Sequence, residues 1–238
     1  MTTALIFAGG TGQRMNTRAK PKQFLELHGK PIIIYTLEHF EVHPEVDNII
    51  VVCVADWIQS LEHMLEQYIF KKVSQVIPGG DGGDKSIYNG LNALEGKCRA
   101  DDVVLIHDGV RPIINADLIS DNINTVKKYG TAITIEAVTE SIIRLTGDDL
   151  IVEVPPREEM FSAKAPQSFR YGLIWDLYQR ANSEGIRIVD SSHLCNIYGV
   201  KMRTVKSTPN NLKITTPADY YIFRALLEAM ENEQILGL

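Results

Sequence analysis

Apolar residues fall in short unbroken runs up to Val138: ALIFA from Ala4, NIIVVCVA from Asn48, SQVIPGG from Ser74, DVVLIHDG from Asp102 and TAITIEAV from Thr131. Each run is β-rich and too short for a buried helix, which predicts buried parallel strands. The segments between them have helical spacing instead. PIIIYTLEHFEV puts Ile33, Leu37 and Phe40 on one face, and ADWIQSLEHMLEQYI puts Trp57, Leu61, Leu65 and Tyr68 on one stripe. KSIYNGLNALEG follows a glycine cluster, and NADLISDNINTVKKYG opens on an Asn or Asp cap and closes on a glycine. Alternation of this kind predicts an α/β fold, a Rossmann-like open and mostly parallel sheet with helices on both faces. The rhythm breaks from Ser141 to Phe169, where SIIRLTGDDLIVEVPPREEM alternates about GDD like a hairpin and then meets two prolines. Such a projecting arm is expected to reach a partner subunit, to serve as a lid, or both. Thr216 to Leu238 reads as one amphipathic helix with Pro217 in its first turn. Without internal repeats or a low-complexity linker, a single domain over 1–238 is expected.

Composition narrows the class of partner. The chain has 238 residues, 45% hydrophobic and 23% charged, with a net charge of −6. That is ample for one sizeable core, and an acidic total argues against general nucleic-acid binding. Cys53, Cys98 and Cys195 are odd in number and widely spaced, fitting neither a disulfide framework nor a zinc site. A reducing cytoplasm is the expected home. Neither a secretory leader nor an apolar run of membrane-spanning length is legible.

Against this acidic background, basic residues cluster behind the first strand. FAGGTGQRMNTRAKPKQF follows a glycine turn with Arg14, Arg18, Lys20 and Lys22. The turn is not a dinucleotide fingerprint, because Met15 stands where the third glycine belongs, and no Walker lysine follows. What remains is a loop whose backbone N–H groups cradle a phosphate, with Arg14 and Lys22 adding charge. The competing reading is a solvated basic loop. Pro21 restricts the chain just before Lys22, which suits a lysine held near a reacting group. VIPGGDGGDKSIYNG, from Val76, can read a base edge with freed backbone amides, or be a plain surface loop. VVLIHDGVRP is the sharpest motif. Asp108 and Arg111 stand at the carboxyl end of an apolar strand, where open α/β sheets bind ligands. Asp108 suits a magnesium ion held mainly by phosphate oxygens, and Arg111 suits an anion or Asp108 itself. An internal salt bridge is the plainer reading of that pair, and His107 reads as structural. Lys213, in NNLKITTPADY, sits in a β-like run as an anion partner or an edge-strand guard.

Taken together, AGGTGQRM, PKQF, GG with SI following, HDGVRP, APQSF and NLKITTPAD resemble the cytidylyltransferases that make CDP-activated polyol phosphates. The pieces occur in the family order from Ala8 to Asp219. The resemblance implies a nucleotidyltransferase-type sheet and transfer of a cytidylyl group from CTP to a polyol phosphate with Mg²⁺. It implies that Arg14, Lys22 and Lys213 are catalytic, and that Ala8, Gly9, Gly10, Gly12, Gly79, Gly80, Asp81 and Ser86 hold the nucleotide. Asp108, Arg111, Ser141 and Arg157 would hold the polyol phosphate, Asp108 also meeting the metal. It further implies a homodimer with shared active sites, in which residues 139–163 form the arm that reaches the neighbour. HDGVRP and NLKITT look closer to the D-ribitol 5-phosphate branch, whose CDP-ribitol feeds cell-surface polymers of teichoic acid or capsule type. The alternatives are the 2-C-methyl-D-erythritol 4-phosphate branch of isoprenoid synthesis and a non-catalytic nucleotide-binding homologue. One departure stands out. The family's GGxxR pattern has Gly83 here in place of arginine, with Lys85 two positions on.

Overall fold

The structure, a computed structural model, describes residues 1–9 and 20–236, with side chains through Asn232. In chain order it has β1 (Thr2–Ala8), β2 (Glu26–Leu27), β3 (Lys30–Pro31), α1 (Ile32–Val42), β4 (Asn48–Cys53), α2 (Ile58–Gln67), β5 (Val73–Pro78), α3 (Gly83–Asn92), β6 (Val103–Asp108) and α4 (Ala116–Tyr129). Then follow β7 (Thr131–Ala137), β8 (Arg144–Leu145), β9 (Ile151–Glu153), β10 (Phe161–Arg170), α5 (Tyr171–Glu184), α6 (Ser191–Ile197), β11 (Thr204–Lys206) and α7 (Pro217–Leu236). The main sheet runs β11-β7-β10-β6-β1-β4-β5. Its neighbours are parallel, except that β10 lies antiparallel between β7 and β6.

Period-two alternation feeds a core on each face. Ala4, Ile6 and Ala8 of β1 face a cluster with Ile33, Leu37 and Phe40 of α1 and Ile119 of α4. Leu5, between them, faces Leu91 of α3 and Ile174 and Trp175 of α5. Ala4, Leu5 and Ile6 are fully buried, and each large side chain so placed contributes about 1.5–3 kcal/mol. Capping sets helix limits as the residue types predict. Asn115 accepts from the Leu118 N–H at the start of α4, and Gly130 closes it in the left-handed region at φ +86°.

Three expectations need correction, and two helices go beyond the sequence reading. SQVIPGG forms the edge strand β5, half-buried rather than buried, because no strand among the described residues pairs with its outer edge. Phe161–Arg170 is more than a hairpin base. It is a ten-residue strand inside the sheet, hidden in the sequence by the break at Lys164–Pro166. The helices α5 and α6 were not legible from the apolar runs. Lys213 is not on a strand: the Ile214 N–H donates to the Val110 carbonyl (2.9 Å), which draws extended chain across the end of β6.

The hairpin does form, as the short pair β8 and β9, and every residue from Thr139 to Val154 is exposed. No helix among the described residues is long and apolar enough to cross a membrane. All three cysteines are free.

Candidate active site

Parallel pairing brings the carboxyl ends of β1, β4, β5 and β6 level. Ala8 pairs with Cys53, Cys53 with Pro78, and Phe7 with Asp108. The chain leaving β1 therefore meets the chain leaving β5. A Cβ on Gly9 would stand 2.7 Å from Ser86 Oγ and 3.4 Å from the Cα of Gly79. Only glycine permits that approach. The Gly79 N–H donates to the Cys53 carbonyl (2.7 Å). Ser86, 1% exposed, donates to the Gly82 carbonyl (2.8 Å) and accepts from the Gly80 N–H (3.2 Å). Its hydroxyl thus shapes the glycine turn, while Asp81 stands exposed at the turn's tip. Gly10, Gly12 and Arg14 lie outside the described residues.

Lys22 opens a short 3-10 turn, Lys22–Phe24, that is anchored on both sides. Buried Gln23 donates to the Ala8 carbonyl (2.6 Å), and Phe24 stacks on Trp57 with ring centroids 4.6 Å apart. These anchors place Lys22 beside the end of β1.

At the end of β6, one buried carboxylate meets two cations. Arg111 Nε donates to Asp108 Oδ2 (2.8 Å), and Lys213 Nζ lies 2.5 Å from Asp108 Oδ1. Burial alone would raise the Asp108 carboxyl, but Lys213 and Arg111 outweigh it and hold it down at about 2. Arg111 also donates to the Asn211 carbonyl (2.9 Å) and is 8% exposed, whereas the Lys213 side chain is 40% exposed. The salt-bridge reading of Asp108 and Arg111 is therefore realised, within the site. The turn from 107 to 112 is braced from below. His107 Nε2–H donates to the Arg111 carbonyl (3.1 Å), His39 to the Pro112 carbonyl (2.9 Å), and Thr36 to the Gly109 carbonyl (3.2 Å). Full burial pushes His107 down to about 4, so it stays neutral.

A cleft of about 170 Å³ opens over this turn, lined by Phe7, Asp108, Arg111 and Lys213 on one side. Gly83 and Ile87 of α3, Lys164 and Gln167 of β10, and Asp190 before α6 complete it. A Cβ on Gly83 would meet open space, so the missing arginine leaves room rather than a clash. Lys85 does not fill that room: its ammonium donates to Asn182 Oδ1, and it does not line the cleft. Ser141 and Arg157 lie on the exposed arm, Arg157 donating to the Thr139 carbonyl at 3.5 Å, and neither lines the cleft of its own chain.

Lys164, Gln167 and Asp190 are cleft residues that the motif reading did not assign. Asp190 caps α6, accepting from the His193 N–H (2.8 Å) and the Ser192 hydroxyl (2.7 Å). Gln167 ties that cap to the sheet, donating to Asp190 Oδ2 (3.3 Å) and accepting from the Ser192 N–H (2.9 Å). The capping pattern DSSH was a visible signal for Asp190. Among the described residues, no group of three or more His, Cys, Asp or Glu is placed to hold a metal. Asp108 alone makes no metal cage, yet each of its oxygens keeps a lone pair beyond its present partner. It fits a divalent cation that arrives already ligated by phosphate oxygens.

Glycine turns and a clamped aspartate at the carboxyl ends of parallel strands define a nucleotide-handling α/β protein. Over residues 2–229 the chain matches the family of 2-C-methyl-D-erythritol 4-phosphate cytidylyltransferase (IspD), and it belongs to that family of nucleotidyltransferase enzymes. It is 46% identical over 239 residues, covering 100% of both chains, to a ribitol-5-phosphate cytidylyltransferase of Streptococcus agalactiae serotype III. It is 33% identical over 229 residues, 96% of this chain and 98% of the other, to a 2-C-methyl-D-erythritol 4-phosphate cytidylyltransferase of Clostridium botulinum strain Loch Maree. Among solved structures, 4-diphosphocytidyl-2C-methyl-D-erythritol synthase from Anaerococcus prevotii superposes with a TM-score of 0.84 at 27% identity, covering 95% of this chain and 96% of that one.

Proposed function

We propose that the chain transfers the cytidylyl group of CTP to D-ribitol 5-phosphate, giving CDP-ribitol and pyrophosphate. The observation that carries the reading is the cationic cluster on Asp108 at the strand ends, in a chain closer over its whole length to the ribitol-named relatives than to the methylerythritol-named ones. A phosphate oxygen of the polyol phosphate attacks the α-phosphorus of CTP. The new P–O bond forms as the bond to the β-phosphate bridge breaks, and the electron pair leaves with pyrophosphate. The attacking phosphate is already ionised at neutral pH, so no general base is needed. Charge builds on the α-phosphoryl oxygens, and positioned cations supply most of the rate enhancement.

In this reading, Lys22 and Arg14 grip the triphosphate, and the Gly79–Ser86 turn reads the cytosine edge with its backbone. Lys213, more exposed than Arg111, swings from Asp108 to the α-phosphate, while Arg111 keeps Asp108 in place. Magnesium, entering with CTP, would neutralise triphosphate charge, with Asp108 as its protein carboxylate. Arg157 and Ser141, outside their own chain's cleft, serve the polyol phosphate of a twofold partner through the arm. The product's chemistry calls for a consumer that transfers its ribitol phosphate unit, as in surface-polymer assembly. Side-by-side turnover with CTP of D-ribitol 5-phosphate and 2-C-methyl-D-erythritol 4-phosphate tests the substrate. A clear preference for the former is expected, and preference for the latter would overturn the assignment.

A further inference from the structure

The ladder between β7 and β10 is broken beside the cleft. Ala163 pairs with Ile135 and Gln167 with Ile133, so Lys164, Ala165 and Pro166 together oppose Thr134 alone. A bulge of this size forfeits ladder hydrogen bonds and re-aims side chains. Here the loss is made good individually. Thr134 donates to the Pro166 carbonyl (2.6 Å), and Asn211, also bonded through its carbonyl to Arg111, donates to the Ala165 carbonyl (2.7 Å). The bulge is therefore fastened to the Asp108 turn, and Ala163, Lys164, Ala165 and Gln167 all reach the cleft wall.

Lys164 differs from the other polar groups of that wall. Arg111 and Lys213 are engaged with Asp108, and Gln167 and Asp190 with each other and with the start of α6. The Lys164 ammonium meets Glu136 Oε2 at 2.7 Å, the two side chains being 22% and 39% exposed. One of the three ammonium protons is used there, and the carboxylate keeps spare lone pairs. Asp108 is shared by two cations, so Lys213 keeps net positive charge beside it for a phosphate. Lys164 and Glu136 instead balance one to one, and the carboxylate repels a phosphate dianion. Paired donors and acceptors of this kind suit neutral vicinal hydroxyls, each of which both donates and accepts.

We infer that Lys164, oriented by Glu136, is a specificity-determining residue that binds the hydroxyl chain of the polyol phosphate. The inference rests on the polyol-phosphate reading of the cleft. Steady-state kinetics of the full-length Lys164→Met enzyme with CTP and D-ribitol 5-phosphate test it. KM for the polyol phosphate should rise at least tenfold, the scale for losing a charged hydrogen bond, with KM for CTP and the melting temperature little changed. Inorganic phosphate, which lacks the hydroxyl chain, should inhibit competitively with the same Ki in both enzymes. Lys164→Arg should recover part of the loss. The double variant Lys164→Met with Glu136→Gln, which leaves no unpaired charge, should show the same KM defect. An unchanged KM in a folded double variant, or an equal rise in the phosphate Ki, would overturn the inference. A wild-type enzyme inactive on D-ribitol 5-phosphate would instead sink the substrate reading. The variants would then be judged on whichever polyol phosphate the wild type accepts, where an unchanged KM still overturns the role of Lys164.

Discussion

The turn from His107 to Pro112 and the arm from Thr139 to Val154 carry residues of the same proposed site, yet they are built in opposite ways. In the turn, a buried carboxylate meets two cations, and three side chains brace the backbone carbonyls from beneath. An unpaired charge there would cost several kcal/mol, so the pairing is close to complete before any ligand arrives. In the arm, the strands are two and three residues long, and Leu150, Ile151 and Val154 in and beside β9 are 64%, 59% and 60% exposed. A hairpin that small is marginal in water unless its apolar side chains pack on something. One region has its charges paired within the chain, and the other leaves its apolar side chains in water. Each half of that contrast can be broken by experiment.

The largest effect concerns how the two regions meet. Lys22→Ala and Arg157→Ala should each lower turnover by roughly 10²–10³-fold at saturating CTP, the scale for one lost transition-state contact. If the arm serves the partner, each intact site takes Lys22 from one chain and Arg157 from the other. Mixing the two dead homodimers under subunit exchange then puts both lesions in one site of each heterodimer and leaves the other whole. Random pairing should restore about a quarter of the wild-type sites. No recovery despite demonstrated exchange would mean the arm folds over its own cleft.

The turn, being complete, should carry its own pH signature. Between pH 6.5 and about 4 the unfolded chain binds a proton at His107 that the folded chain refuses, because burial lowers the folded value. Stability therefore falls as the pH drops through that window, by about 3 kcal/mol over its whole width. Asp108 has the same sign in a lower window, its contribution lost as the pH falls from about 3.8 toward 2. His107→Gln keeps an N–H for the Arg111 carbonyl and removes the titrating group. Denaturant unfolding at pH 7, 5.5 and 4.5 should show a shallower decline for that variant. Parallel declines would mean that His107 is not the group responsible.

The same contrast explains what was legible in the sequence. Strands β1, β4 and β6 announced themselves because burial on both faces demands unbroken apolar runs. Asp108, Arg111 and Lys213 were legible as chemistry because their types are unusual at strand ends or in apolar surroundings. Their mutual arrangement was not, since it depends on the Ile214–Val110 hydrogen bond across the end of β6. β10 was missed because its bulge interrupts the alternation at Lys164, and that same interruption brings Lys164 into the cleft. The arm's turn residues gave its hairpin, but nothing local encodes which surface covers it.

The smallest effect on the single chain, and the most direct probe of the arm, is replacing its apolar side chains. Leu150, Ile151 and Val154 are already mostly in water, so changing each to serine should alter the stability of one folded chain by no more than about 0.5 kcal/mol. If the arm packs on a twofold partner, each subunit both lends and receives it, and every such change counts twice. The triple variant should therefore move from dimer to monomer in sedimentation at micromolar concentration, with its circular dichroism unchanged and its turnover lost in step with its mass. Val42, 78% exposed at the end of α1, is the control: serine there removes an exposed apolar side chain without touching the arm. Val42→Ser should leave both mass and turnover at wild-type values. A triple variant that stays dimeric and active would show that the apolar face of the arm does not hold the partner. A wild-type protein that is monomeric and fully active would remove the partner altogether, and the exposed arm would then act only on its own chain.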